Sequence, residues 1–65
     1  MITVNGKKTE IPENLTVDEL LLREGFRAER VVVEVNMKIV PRGGYKAARL
    51  RDGDSIEILQ FVGGG

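Results

Sequence analysis

One segment of this chain has a helical period and both of its ends are marked, yet it is too short to fold by itself. It opens with Leu15-Thr16-Val17-Asp18-Glu19-Leu20. Thr16 and Glu19 have the spacing of a capping box, in which each side chain bonds the other residue's free backbone N–H. Leu15 before the cap and Leu20 four positions into the helix match a hydrophobic staple. Asp18 and Glu19 sit at the positive end of the helix dipole. Val17, Leu20, Leu21 and Glu24 share one stripe, with Leu22 and Arg23 beside it, and Gly25 supplies a left-handed stop. The result is about two to three turns, whereas isolated helices shorter than about 12–15 residues are marginal in water. A sheet must cover the apolar stripe.

The rest of the sequence supplies that sheet. Ile2 and Val4 alternate with Met1, Thr3 and Asn5, as in a half-buried strand. Asn5-Gly6 is a strong hairpin signal, because both residues tolerate positive φ. Lys7, Thr9 and Ile11 alternate with Lys8 and Glu10 as a return strand, and Pro12 ends it for want of an N–H. Beyond the helix, Val31 to Val35 is β-branched apart from Glu34. If Val31, Val33 and Val35 face the helix, Val32 and Glu34 face away. Asn36-Met37-Lys38 turns the chain into a short strand at Ile39-Val40, which Pro41 stops. Arg42 to Leu50 is the least regular stretch, with Gly43-Gly44 inside it. Asp52-Gly53-Asp54 is a turn before the last strand, Ile56 to Val62.

A hairpin, one helix and three further strands predict an α+β domain: one mixed sheet with a single helix packed on one face. The first and last strands then lie parallel at the centre, joined through a right-handed crossover. That is the β-grasp arrangement. The domain is expected over residues 1–62, with 63–65 as a flexible glycine tail. The expected core is Ile2, Val4, Val17, Leu20, Leu21, Val31, Val33, Val35, Ile56 and Ile58.

Composition narrows the chemistry. The 65 residues suffice for one small domain. Ten Lys+Arg against ten Asp+Glu give zero net charge, whereas a nucleic-acid binder usually carries a basic surplus. Cysteine and histidine are absent. The chain therefore has no disulfide, no Cys/His zinc site, no thiol nucleophile and no imidazole proton shuttle. A domain of about 60 residues buries only about 60% of the surface its unfolded chain exposes, which leaves little room for a deep pocket. No apolar run approaches the roughly 20 residues that span a bilayer, and the N-terminus lacks the basic-then-apolar pattern of a signal peptide. These features predict a cytoplasmic monomer that binds neither nucleic acid nor membrane, and a binding or carrier protein rather than a free-standing enzyme.

No constellation of catalytic residues stands out. Asp52 and Asp54 are two carboxylates, few for calcium with its 6–8 oxygen ligands, and read as turn residues. Gly43-Gly44-Tyr45-Lys46 lacks the spacing of a phosphate loop. Tyr45 is expected to pack its ring with its hydroxyl in water. Arg42, Lys46, Arg49 and Arg51 form a local basic cluster, read as a solvated loop or a partner contact. The end of the chain is different. Gly63-Gly64-Gly65 carries no side chains to pack and has the highest ordering entropy. Such an end is either a harmless disordered terminus or a thin strand of chain that enters a channel in another protein. In the second case its terminal carboxylate is the one obvious group for covalent carrier chemistry. Just before it, Leu59 and Phe61 alternate away from Ile56 and Ile58. With Val62 they form an apolar group at the root of the tail, expected to bind a partner.

Val4-Asn5-Gly6, Leu15 to Leu21, Val35-Asn36-Met37-Lys38-Ile39-Val40-Pro41-Arg42, Leu50-Arg51-Asp52-Gly53-Asp54 and Phe61-Val62-Gly63-Gly64-Gly65 together resemble the ThiS family of sulfur carriers of thiamine thiazole biosynthesis. The resemblance covers essentially the whole chain. Its most specific parts are Val-Asn-X-X-Ile-Val-Pro-Arg and the terminal glycines. Gly43-Gly44 departs from it, standing where less flexible polar residues are expected. The resemblance implies a ubiquitin-like β-grasp fold. It also implies a ThiF-like adenylyltransferase that uses ATP and magnesium to adenylate the C-terminal glycine, here Gly65, with Gly63 and Gly64 in its channel. Sulfur from a cysteine desulfurase persulfide then replaces AMP to give a thiocarboxylate. A ThiG-like thiazole synthase takes that sulfur. On this reading the chain is a protein co-substrate that catalyses nothing and binds no cofactor. Similar MoaD-type carriers of molybdopterin synthesis, which are usually longer, and carriers feeding other sulfur pathways are the near alternatives. A β-grasp interaction module such as a TGS-like RNA-associated domain is the distant one.

Overall fold

The structure, a computed structural model, describes residues 1–61. Five strands and one helix follow in the order β1 (Ile2–Val4), β2 (Lys7–Thr9), α1 (Val17–Glu24), β3 (Val31–Val35), β4 (Lys38–Val40) and β5 (Ser55–Gln60). Short 3-10 turns at Ala28–Arg30 and Arg42–Gly44 complete the elements. The strands make one mixed sheet in the order β2-β1-β5-β3-β4. β1 and β5 are parallel, while β1–β2, β3–β4 and β3–β5 are antiparallel. The expected β-grasp arrangement is therefore present, with β5 as the middle strand.

Both hairpins turn on two consecutive residues with positive φ, as a type I′ turn requires. In the first they are Asn5 (φ 49) and Gly6 (φ 82). In the second they are Asn36 (φ 52) and Met37 (φ 70). Each asparagine also works across the sheet. The Asn5 side chain accepts from Ile58 N at 2.7 Å and donates to Ile58 O at 3.3 Å, which prolongs the β1–β5 ladder beyond β1. The Asn36 side chain accepts from Ser55 N and donates to Asp54, each at 3.0 Å. Both turns thus pin β5.

The helix ends are built as their residues demand. Thr16 Oγ1 accepts from Glu19 N, and Glu19 Oε1 accepts from Thr16 N, closing the capping box. Gly25 sits at φ 80 and donates to the carbonyls of Leu21 and Leu22. The first free N–H groups of α1, which an isolated helix leaves to water, find partners in the irregular loop. Val17 N donates to Ala48 O at 2.9 Å and Asp18 N to Tyr45 O at 3.1 Å. Residues 45–50 are therefore an ordered cover over the helix start, closed by a Leu50 N to Leu15 O bond of 2.8 Å.

The core contains nine of the ten expected residues together with Leu15, Tyr45 and Leu50. Val35 is the exception: it is half-buried and packs at the core's edge, because its β4 partner is Lys38 near the hairpin end. The return strand ends at Thr9, and Ile11 packs against the core from beyond it. Tyr45 departs furthest from expectation. Its residue is 3% exposed, and its hydroxyl donates to Val31 O at 3.4 Å rather than to solvent. That bond is long, so Tyr45→Phe should cost no more than about 0.5–1.5 kcal/mol. A urea midpoint lowered by that amount checks it; a loss comparable with deleting the ring would mean that the hydroxyl organises the loop.

Candidate functional site

The last described residues locate the root of the glycine tail. β5 runs out at Gln60, and Phe61 N donates to Arg30 O at 3.0 Å, so the chain stays in register with β3 one residue past the strand. Val62, Gly63, Gly64 and Gly65 lie outside the described residues. The expected tail and its reactive end belong to that stretch. Leu59 and Phe61 do emerge on the sheet face away from the helix. Leu59 is 52% and Phe61 60% exposed, while Ile56 and Ile58 are buried on the other face. Val32 lies directly opposite Leu59 and is half-buried. Gln60 has the inward parity, opposite Val31, yet is exposed at the end of the sheet.

Register adds residues to this face that alternation within single strands did not assemble. Glu34 lies opposite Glu57 on β5 and opposite Ile39 on β4. Ile39 is 66% exposed, and it extends the apolar surface to the neighbouring edge strand. The signal lay in the hairpin: a two-residue turn at Asn36-Met37 fixes Ile39 across from Glu34.

The other candidates do not form a site. The oxygens of Asp54 accept from Asn36 Nδ2 and from Arg51 N, and Asp52 bonds the Met1 amino group. That bond, and the positive charge behind it, hold the Asp52 carboxyl below the usual range. The two aspartates are thus engaged in shaping their turn. Among the described residues no group of three or more acidic, Cys or His side chains is placed to hold a metal. Arg42 donates to Glu29 O at 3.2 Å, the Arg49 backbone pairs with Thr16 across an isolated bridge, and Arg51 lines a surface depression with Met1 and Pro12. The basic residues therefore meet different neighbours. A second depression lies between Leu22, Phe26 and Ala28. Residues 59–61 line neither.

Comparison with known proteins agrees with the fold. A thiazole synthase of Paramagnetospirillum magneticum is 38% identical over 64 residues, covering 98% of this chain, which spans only 20% of that protein's length. The sulfur carrier protein ThiS of Bacillus subtilis is 36% identical over 66 residues, and all of both chains is covered. The crystal structure of the thiamine biosynthesis protein ThiS from Geobacter metallireducens superposes with a TM-score of 0.84 at 42% identity, covering 98% of this chain and 97% of the other. The ThiS family model matches residues 2–65. A β-grasp sheet whose central strand leads into three glycines, matched along its length to such relatives, places this chain in the ThiS family.

Proposed function

We propose that this chain is a sulfur carrier for thiazole formation in thiamine biosynthesis and that its reactive group is the carboxylate of Gly65. The observation that carries the reading is the placement of Leu59 and Phe61. Two exposed apolar side chains, Leu59 on the central strand and Phe61 just past its end, stand two to four residues before the three glycines of a ThiS-family chain. A carboxylate is a poor electrophile, because attack on it must expel oxide. Activation joins Gly65 to the α-phosphate of ATP and releases pyrophosphate. A persulfide sulfur then attacks the acyl carbon, forming a C–S bond and expelling AMP. A thiol cleaves the resulting acyl disulfide, leaving the thiocarboxylate and a new disulfide. Glycine suits this sequence, since no Cβ crowds the acyl carbon.

ATP, magnesium and the catalytic groups belong to a ThiF-like adenylyltransferase on this reading, and the persulfide to a cysteine desulfurase. The Paramagnetospirillum relative, a thiazole synthase five times the length of the match, supports a ThiG-like acceptor for the sulfur. Gly63 and Gly64 thread the enzymes' channels, and Leu59, Phe61 and Val62 bind at the channel mouths. Mass spectrometry of the protein from sulfur-replete cells tests the assignment. It should reveal a species heavier by the difference between sulfur and oxygen, located on Gly65. An unmodified terminus would favour a plain interaction module.

Phe61→Asp tests the docking surface. Buried aromatic anchors at interfaces are commonly worth about 2 kcal/mol or more. The variant should bind the adenylyltransferase correspondingly more weakly while its melting curve stays put. Unfolding instead would show that Phe61 belongs to the core.

A further inference from the structure

The sheet face away from the helix is not uniform along its length. The pairs of β3 and β5 on that face are Val32 with Leu59 and Glu34 with Glu57; just past the strands Phe61 N donates to the carbonyl of Arg30, the last residue of a 3-10 turn. At the strand rise, Phe61 and Glu57, four residues apart, are about 13 Å from each other. The end beside the tail root thus offers a guanidinium and an aromatic ring. The middle is aliphatic, and the far end carries two carboxylates directly opposite each other. Like charges in that position destabilise a sheet. Among the described residues neither glutamate has an ion-pair partner, and Arg30 has none either. Lys8 is the nearest cation by register on the same face, paired with Thr3 one strand further out.

We propose that these charged ends set the direction in which a partner protein docks on the face. The occupant is a folded protein with an apolar patch for Val32, Leu59 and Phe61. It carries a carboxylate beside the mouth of its channel, to meet Arg30, and a cation about 13 Å away, to sit between Glu34 and Glu57. In this direction every charged contact is attractive, and Phe61, the last described residue, lies at the end beside the mouth. Turned by half a revolution, the same partner sets its cation on Arg30 and its carboxylate against the two glutamates. The apolar contact survives that rotation almost unchanged, since apolar burial is non-directional. Charge alone therefore rejects it, by the repulsion that enforces specificity at interfaces. The repulsion between Glu34 and Glu57 in the free domain is relieved when the partner's cation arrives. The proposal rests on the carrier reading above.

The test uses the full chain and the ThiF-type adenylyltransferase of the same organism. Parent, Glu34→Gln/Glu57→Gln and Arg30→Glu proteins are compared by calorimetric titration at two salt concentrations, by thermal melting and by adenylation. The double glutamine variant should melt at the same temperature or higher, because a like-charge pair is gone. It should nevertheless bind at least about tenfold more weakly, with a flatter salt dependence. Arg30→Glu should weaken binding by a similar factor and retain its fold. Affinities within about twofold of the parent would overturn the proposal alone, provided the parent is adenylated. A lower melting temperature for the double variant would also overturn it, by making the glutamates structural. A parent chain that the enzyme neither binds nor adenylates would remove the carrier reading and the proposal together.

Discussion

A chain lacking Gly65 should keep its melting temperature and be adenylated at least about 100-fold more slowly. The shortened chain still ends in Gly63-Gly64, so by composition it remains a carrier. What changes is reach. One extended residue spans at most about 3.3–3.6 Å, and the acyl carbon stops that far short of the ATP α-phosphate. Misplacement by about 1 Å in an active site can already cost on the order of 100-fold. The fold should be indifferent, because a glycine brings no side chain to the core, whose buried residues among those described run from Ile2 to Ile58. ATP–pyrophosphate exchange with the adenylyltransferase, run beside a thermal melt, reads both halves of the expectation. Near-normal exchange would mean that three glycines provide slack and that Gly65 is not the fixed point of reaction.

Leu20→Ala should remove about 2–5 kcal/mol of stability, the usual cost of truncating a fully buried leucine. Leu20 is 0% exposed, on the stripe that α1 presses against the sheet between Val17 and Leu21. At the usual 0.05–0.15 kcal/mol per residue, a chain of this length has roughly 3–10 kcal/mol in total. The substitution therefore takes a large share, and at the upper end leaves the domain substantially unfolded at room temperature. A denaturant titration measures the loss as a lowered midpoint. An unchanged midpoint would contradict the packing of the helix.

The two variants probe parts of the molecule that differ in how openly the sequence declares them. Thr16, Glu19 and Gly25 act on their own neighbours, and so do Asn5 and Gly6. Their roles follow from spacing alone, and the helix and first hairpin fall where that spacing puts them. Alternation likewise sorts Ile56 and Ile58 from Leu59 and Phe61, because the two sides of a strand differ by one residue. Residues 42–50 have no period to read. Their shape is dictated by the unpaired N–H groups of a helix that begins some thirty residues earlier, and by the carbonyl of Val31. Tyr45 and Leu50 are buried by this distant demand, as is Leu15 against them. The same holds for the candidate site. Leu59 and Phe61 are legible from the alternation that runs through β5 and just past it, whereas Glu34 and Ile39 join them only once strand pairing sets β3 and β4 alongside.

The central position of β5 also has a mechanical meaning. A partner that grips the last glycine pulls, through the chain, on Gln60. A strand at the edge of a sheet would yield to such a load by peeling, one hydrogen bond after another. β5 is held on one side by β1 and the Asn5 side chain and on the other by the whole of β3. Tension along it loads both ladders in shear, so many bonds must give way together before the first is lost. If the carrier reading holds, the domain is thereby fitted to act as a rigid handle that withstands a pull on its end without unravelling.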